Sequence, residues 1–284
     1  MYYDLSSGNY IKERESKALS FLYKAAAGRC LLKLASSKFA ANAAAAYMNS
    51  VLSQPRIKRF IKKNHIDMSE YEERKYRSFN DFFTRKIKSG KREPEDGFVA
   101  VCDSKLRIYK TNADRAFDIK GSLYTARELT GEEGRYEYAL IFRLEPDDYH
   151  HFIYPDSGET LSFKEIAGKL NTVRPIAEKS RRIYHENSRR VSFLRCENAG
   201  DICYIEVGAM LIGKITDRHA ARFKKGEEKG YFEFGGSTVV ILTGGGIDFD
   251  GKILENTKNG IETIVKAGQR IGNYSEDRQI EKSV

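Results

Sequence analysis

The chain has 284 residues, 40% hydrophobic and 12% aromatic, which is enough for a folded core and too apolar for a disordered chain. The formal net charge is +9, yet residues 1–92 alone hold 20 Lys and Arg against 8 Asp and Glu, so the remainder is weakly acidic. A basic leader on a near-neutral body points to an anionic partner at one end, nucleic acid or an acidic membrane surface, or to a solvated basic face with no partner.

Four cysteines (Cys30, Cys102, Cys196 and Cys203) form no C-x-x-C pair and show no metal-ligand spacing. No metal site is therefore expected, and a reducing compartment is. The start, Met-Tyr-Tyr-Asp, lacks the basic opening and apolar core of a signal peptide, and no stretch approaches the ~18 apolar residues of a membrane span. These features predict a cytosolic protein, soluble or peripheral.

From Ser16 to Leu52 the pattern is helical, with Leu19, Leu22, Tyr23, Leu31, Leu34 and Phe39 among many alanines and Gly28 dividing it. Basic residues beside apolar ones suit either a helix pair packed on a core or an interfacial anchor. Beyond Pro55, the segment Arg56-Ile-Lys-Arg-Phe-Ile-Lys-Lys63 sets Ile57, Phe60 and Ile61 on one helical face. It is the best candidate for membrane contact, with a plain solvated helix as the alternative. In Ser78-Phe-Asn-Asp-Phe-Phe-Thr-Arg85, Ser78 is placed to cap a short helix whose phenylalanines dock on the core. The chain thus divides into a basic helical segment, 1–77, for membrane association or packing, and a body, 78–284.

From Gly97 onward the texture changes to short strands and turns. Strands are predicted over 98–102, 106–110, 117–121, 138–143, 190–195, 202–207, 210–215 and 239–242, with a short helix over 124–129. Helices gathered at the front and strands behind predict an α+β fold, a helical N-terminal leader on a β-rich body.

The stretch Lys225-Gly-Glu-Glu-Lys-Gly-Tyr-Phe-Glu-Phe-Gly-Gly-Ser-Thr238 joins two late strands, predicted at Tyr231–Phe234 and Val239–Leu242. Taken alone, Gly-Gly-Ser-Thr is a hairpin turn, because glycine supplies positive φ without steric cost. It also carries chemistry. In a strained turn the Ser237 hydroxyl sits near the carbonyl carbon of Gly236, which no side chain shields. An N-to-O acyl shift there gives an ester. Loss of the α-proton then cleaves the chain and leaves dehydroalanine, which hydrolyses to a pyruvoyl group and ammonia.

Lys225, Gly226, Glu228, Gly230, Phe232, Gly236, Ser237 and Thr238 match, in order, the processing site of the phosphatidylserine decarboxylase family, which this stretch resembles. Ser78–Lys88 is similar to that family's Phe-Asn-x-Phe-Phe-x-Arg signature, although Glu93 separates Arg92 from Pro94 where Arg-Pro is usual. Asp148-Tyr-His150 resembles the family's Asp-Tyr-His. Ile153 stands where many members have a second histidine, and His151 stands next to His150 instead. Val101-Cys-Asp103 resembles the turn that carries the family's aspartate, with Ser104 in place of glycine and Asp96-Gly97 as a competing turn. Tyr184–Arg190 and Val207–Gly213 fall where the family has an Asn-x-Arg segment and a Val-Gly-Ala-Met strand.

The resemblance implies a self-cleaving, pyruvoyl-dependent carboxy-lyase. Ser237, His150 and Asp103 are its catalytic residues, with Asp103 orienting His150 as the general base and the cut between Gly236 and Ser237. Asn187, Arg190 and His151 are substrate-binding candidates. The cofactor implied is a covalent pyruvoyl group made from Ser237. It holds the amine of phosphatidylserine as a Schiff base while CO2 leaves and phosphatidylethanolamine forms. The implied partners are an anionic membrane surface and the two cleavage chains bound to each other, with no nucleic acid. Further assembly into a homo-oligomer is left open. The implied location is peripheral, on the cytoplasmic side of the cell membrane. The alternatives are the same chemistry on a soluble amino acid, and a basic membrane-binding protein that has lost catalysis.

Overall fold

Ser237-Thr-Val-Val-Ile-Leu-Thr243 is buried along its whole length, and a strand without a polar face belongs in a sheet covered on both sides. That is where it lies in the computed structural model, which describes residues 1–12, 38–111, 116–119, 122–168, 183–208, 215–234 and 237–275.

In chain order the strands are β1 (Tyr2–Asp4), β2 (Asn9–Ile11), β3 (Phe98–Val99), β4 (Ser104–Lys110), β5 (Ala116–Ile119), β6 (Ser122–Thr125), β7 (Tyr138–Leu144), β8 (His151–Ile153) and β9 (Gly158–Ile166). They continue with β10 (Arg189–Cys196), β11 (Gly200–Gly208), β12 (Ile215–Asp217), β13 (Arg222–Phe223), β14 (Glu228–Phe232), β15 (Ser237–Thr243), β16 (Ile247–Phe249), β17 (Glu262–Val265) and β18 (Arg270–Tyr274). Helices among the described residues are α1 (Lys38–Asn49), α2 (Pro55–Asn64), α3 (Phe79–Phe83), α4 (Ala126–Thr130), α5 (Ile183–Glu186) and α6 (Gly251–Lys258).

The main sheet runs β13-β9-β10-β11-β15-β7-β4-β17-β1-β2, antiparallel throughout except where β1 pairs parallel with β17. Side chains alternate between its faces. Leu106, Leu140, Phe142, Tyr204, Val239 and Ile241 look to one face, where Phe98, Phe152 and Phe232 of the sheets β16-β18-β3 and β12-β14-β8 cover them. Ile141, Ile205, Val240 and Leu242 look to the other, against Phe117, Tyr124, Leu129 and Tyr184.

The α+β class and the β-rich body agree with expectation, and the Gly-Gly-Ser-Thr segment does join two late strands. The hairpin does not form. β14 lies in the β12-β14-β8 sheet and β15 in the main one, so Phe232 ends in one sheet and Ser237 begins in another. The two glycines themselves lie outside the described residues. The start of the chain also differs from a purely helical leader: Tyr2 and Tyr3, aromatic and suited to a pleated surface, put β1 beside β17. Much of the helix expected over 16–52 lies outside the described residues. Its last part is α1. Ser78 caps α3 as expected, accepting from the Asp81 N–H at 3.1 Å. On α2, Ile57 is buried, and Phe60 and Ile61 pack with Phe79, Phe82 and Phe83. The apolar face proposed for a membrane is therefore turned to the body, and the basic face is outward. No helix among the described residues is long and apolar enough to cross a membrane.

A glycine sets the contact between β14 and β12. A Cβ at Gly230 would lie 2.1 Å from the Thr216 carbonyl oxygen and 2.8 Å from the Phe152 ring, whereas one at Gly244 would meet nothing within 4 Å. Gly230→Ala is expected to destabilise by about 1–3 kcal/mol through overpacking, seen as a lowered urea midpoint, with Gly244→Ala close to wild type.

Candidate active site

The register of β15 sets Ser237 opposite Gly208 of β11 and Leu144 of β7. Alternation puts its side chain on the Val239 and Ile241 face, the one covered by β12-β14-β8. Ser237 is fully buried, and its Oγ has no hydrogen-bond partner. The Thr238 hydroxyl is likewise buried and unpartnered. Leaving a buried hydroxyl unsatisfied costs about 1–3 kcal/mol, a burden that suits a group held for reaction.

The chain leading to Ser237 is gripped by Asn80 of α3. Its Oδ1 accepts from the Phe234 N–H at 2.9 Å, while its Nδ2 donates to Asn49 Oδ1 at 2.9 Å and to Glu233 Oε2 at 3.3 Å. Phe234 packs edge-on against Phe79 and Phe83, each at 5.3 Å. On the other side, Asn187 donates to the Gly208 carbonyl at 2.7 Å and bolsters the strand end facing Ser237.

His150 is fully buried. Its Nδ1 is 2.9 Å from the Asp148 carbonyl oxygen, its Nε2 has no partner, and the Phe83 ring lies 4.0 Å from its centroid. A carbonyl oxygen only accepts, so Nδ1 carries the hydrogen and Nε2 keeps its lone pair. Burial lowers its pKa to about 3, with Arg85, His151 and Lys105 adding to the effect. The result is a neutral base. The Phe232 N–H donates to the His150 carbonyl at 2.9 Å, tying the base to the strand that leads into the Ser237 segment. His151 is different. Its Nδ1 meets Glu228 Oε2 at 2.7 Å and its Nε2 donates to the Thr84 carbonyl at 3.2 Å, so neither nitrogen is free. Its ring stacks on Tyr149 at 4.7 Å, which makes it a brace.

Asp103 does not meet His150. Its carboxylate accepts from Arg92 Nη1 at 2.6 Å, Lys266 Nζ at 3.2 Å and the Ala267 N–H at 2.9 Å. Against burial, the charges of Lys266 and Arg92 hold its pKa below the usual carboxylate value. The group that orients His150 is instead the main chain at Asp148, whose own carboxylate is held by Lys105 Nζ at 2.8 Å through both oxygens. Asp103 reaches the same segment indirectly, because Arg92 lies 5.8 Å above the Tyr149 ring. Arg190 is not brought to the site. One of its nitrogens donates to the Ile215 carbonyl at 2.7 Å and another pairs with Glu165 at 2.7 Å.

Asn80 and Arg85 were given no role by the sequence beyond their places in one motif. Arg85 lies fully buried beside Tyr71, Phe82 and the Asp148 carbonyl. A second polar cluster sits on the Ser237 side of the sheet: Lys229 pairs with Glu206 at 2.5 Å and with Asp217, and burial raises Glu206 to about 7 despite Lys229. The signal for Asn80 was its fixed place beside the phenylalanines; nothing in the sequence pairs Glu206 with Lys229.

Residues 79–273 match the model of the phosphatidylserine decarboxylase family. The chain is 44% identical over 279 residues to phosphatidylserine decarboxylase proenzyme 2 of Clostridium acetobutylicum, covering 95% of this chain and 96% of that one. It is 37% identical over 273 residues to the phosphatidylserine decarboxylase proenzyme of Fusobacterium nucleatum (90% and 91% covered). The proenzyme of Clostridium tetani is 36% identical over 288 residues (95% and 97% covered).

His150 has a measurable signature. Its pKa falls from 6.5 to about 3 on folding. Between those values the unfolded chain binds a proton that the folded chain does not, so stability rises with pH. The contribution is whole above pH 6.5 and is lost on acidification at about 1.4 kcal/mol per pH unit. Between about pH 6.5 and 4.5, the urea midpoint of the wild type is expected to fall more steeply than that of His150→Gln.

Proposed function

The chain belongs to the phosphatidylserine decarboxylase family, and on that premise we propose that it is a proenzyme that cuts itself between Gly236 and Ser237 and then converts phosphatidylserine to phosphatidylethanolamine and CO2. The observation that carries this is a pair of buried, unpartnered atoms, Ser237 Oγ and His150 Nε2, borne by segments joined through Phe232 and Phe83.

In processing, His150 Nε2 takes the Ser237 hydroxyl proton and the oxygen attacks the Gly236 carbonyl carbon. The C–N bond breaks, the amine takes up a proton, and Gly236 is left as an ester on Oγ. Removal of the Ser237 α-proton expels the Gly236 carboxylate. Residues 1–236 are then one chain, and residues 237–284 begin with dehydroalanine, which water converts to the pyruvoyl group with release of ammonia. The orphaned Ser237 hydroxyl fits a residue consumed in this way. Once formed, the pyruvoyl group supplies a carbonyl that takes the substrate amine and accepts the electron pair left by CO2. During turnover His150 Nε2 holds the proton that replaces CO2 on the substrate α-carbon. Asp103 is a positioning residue acting through Arg92, His151 and Asn187 are braces, and residues 78–284 form the catalytic domain.

Strand β15 of the short chain is bonded on both edges by strands of the long one, which supports a lasting two-chain unit. The segment 1–77 is proposed to hold this unit on the cytoplasmic face of the cell membrane. In support, Val51 (71% exposed) and Leu52 (77%) project from the turn between α1 and α2, beside the exposed Arg56, Lys58, Arg59, Lys62 and Lys63. Cationic side chains near an anionic surface contribute roughly 1 kcal/mol each.

On a denaturing gel the wild type is expected to run as two chains and Ser237→Ala as one, with mass spectrometry showing a blocked, carbonyl-bearing residue 237 only in the wild type. A wild type that stays whole in the presence of lipid would exclude self-processing. For the membrane, deletion of residues 1–65 would remove β1 from the sheet, so point variants are preferable. Lys58→Glu with Lys62→Glu is expected to lower flotation with anionic vesicles by about tenfold or more at low salt, and Leu52→Asp to lower it further. Unchanged flotation would exclude this surface.

A further inference from the structure

Arg85 follows α3 and is completely buried. Its Nη2 makes only long contacts, 3.4 Å to the Tyr71 hydroxyl, 3.3 Å to the Asp147 carbonyl and 3.5 Å to the Asp148 carbonyl. Its Nε and Nη1 have no partner, which leaves three of the five guanidinium N–H donors unsatisfied. No carboxylate among the described residues pairs with it. The faces of Tyr71 at 4.4 Å and Phe82 at 5.0 Å partly offset its charge. Three other buried cations have a carboxylate at hand: Lys105 has Asp148, Arg143 has Glu262, and Lys229 has Glu206. Buried Arg189 has none, but its guanidinium donates to the carbonyls of Leu129, His185, Asn187 and Glu128 at 2.6–3.0 Å, so Arg85 stands apart in lacking both. A buried cation without counter-charge is unfavourable, so the surroundings of Arg85 are electrostatically suited to an anion.

Its position narrows the choice. The Asp148 carbonyl that Arg85 touches is the one facing His150 Nδ1, and the Phe83 ring lies on His150. We propose that Arg85 binds the phosphodiester of the phospholipid head group while His150 faces the reacting carbon; this rests on the decarboxylase function proposed above. In phosphatidylserine one methylene and one ester oxygen separate the α-carbon from phosphorus, so an anion site next to the base fits the head group. The substrate carboxylate is the poorer occupant. It loses its charge as CO2, and a guanidinium paired with it stabilises the ground state against reaction. The phosphodiester keeps its charge from substrate to product, so its binding is uniform and appears in KM.

The test compares wild type, Arg85→Lys and Arg85→Met on phosphatidylserine in detergent micelles. Glycerophosphoethanolamine, which has the phosphodiester and no carboxylate, serves as competitive inhibitor. Both variants are expected to split into two chains. For Arg85→Met, KM and the inhibition constant should rise together by roughly ten- to a hundredfold, the worth of a charge-assisted hydrogen-bond set, with kcat changing far less. Arg85→Lys should recover part of the loss, since it keeps the charge without the planar fork. An unchanged inhibition constant in both variants overturns the assignment, as does a loss confined to kcat. If Arg85→Met stays uncut, the same two constants measured on Arg85→Lys decide the matter. A wild type that releases no CO2 overturns the decarboxylase function itself, an outcome separate from an active wild type whose constants do not respond at Arg85.

Discussion

The hydrogen-bond register of β15 is the constraint on which the site depends. Pairing with Gly208 on one side and Leu144 on the other fixes which face Ser237 occupies, and a slip of one residue would turn it to the opposite core. The same pairing holds Ser237 at the edge of a crossing between two sheets rather than within a hairpin. One side of the proposed scissile bond is thus anchored in the central sheet. Phe234, two residues before Gly236, is held by Asn80 and the phenylalanines of α3.

Charge in the interior is arranged in small closed sets. Arg92 and Lys266 surround Asp103, Lys105 holds Asp148, and Arg143 holds Glu262. Arg92 does this from a left-handed backbone conformation, φ 56°, strain that the ion pairs with Asp103 and Glu70 offset. His150 stays neutral chiefly because it is buried, with the nearby charges of Arg85, His151 and Lys105 adding to the effect and only a main-chain carbonyl bonded to its ring. A triad in which a carboxylate holds the histidine would raise the proton affinity of the ring. A main-chain carbonyl orients it with much less effect on basicity.

Much of this was legible beforehand. The β-branched and aromatic content of β7, β10, β11 and β15 announced them within a residue or two, because packing and local preference agree there. The α6 helix was missed although Asp250 caps it, since eight residues carry little periodicity. The partner of Asp103 was misjudged for a different reason. Sequence shows that an aspartate occupies a turn, but Lys266 is far along the chain and only the β4–β17 pairing brings it there. The apolar face of α2 showed the correct periodicity and the wrong neighbour, because a helix face suited to lipid is equally suited to the rings of Phe79 and Phe82. The hairpin failed because Tyr231 and Val239 have strand character without any mark of which sheet each joins.

The way the last strands are threaded has a consequence for the life of the molecule. β15 lies between β11 and β7, and β17 between β4 and β1, so two strands that follow residue 236 are each inserted between strands that precede it. Such a weave is assembled while the polypeptide is continuous, when closing each loop is an intramolecular event. After the proposed cut, a melted molecule would have to find its other half by diffusion and rethread two interior strands at once. The proposed processing would thus act as a ratchet on the fold, leaving an architecture that heat could erase but dilution back into buffer would not readily restore.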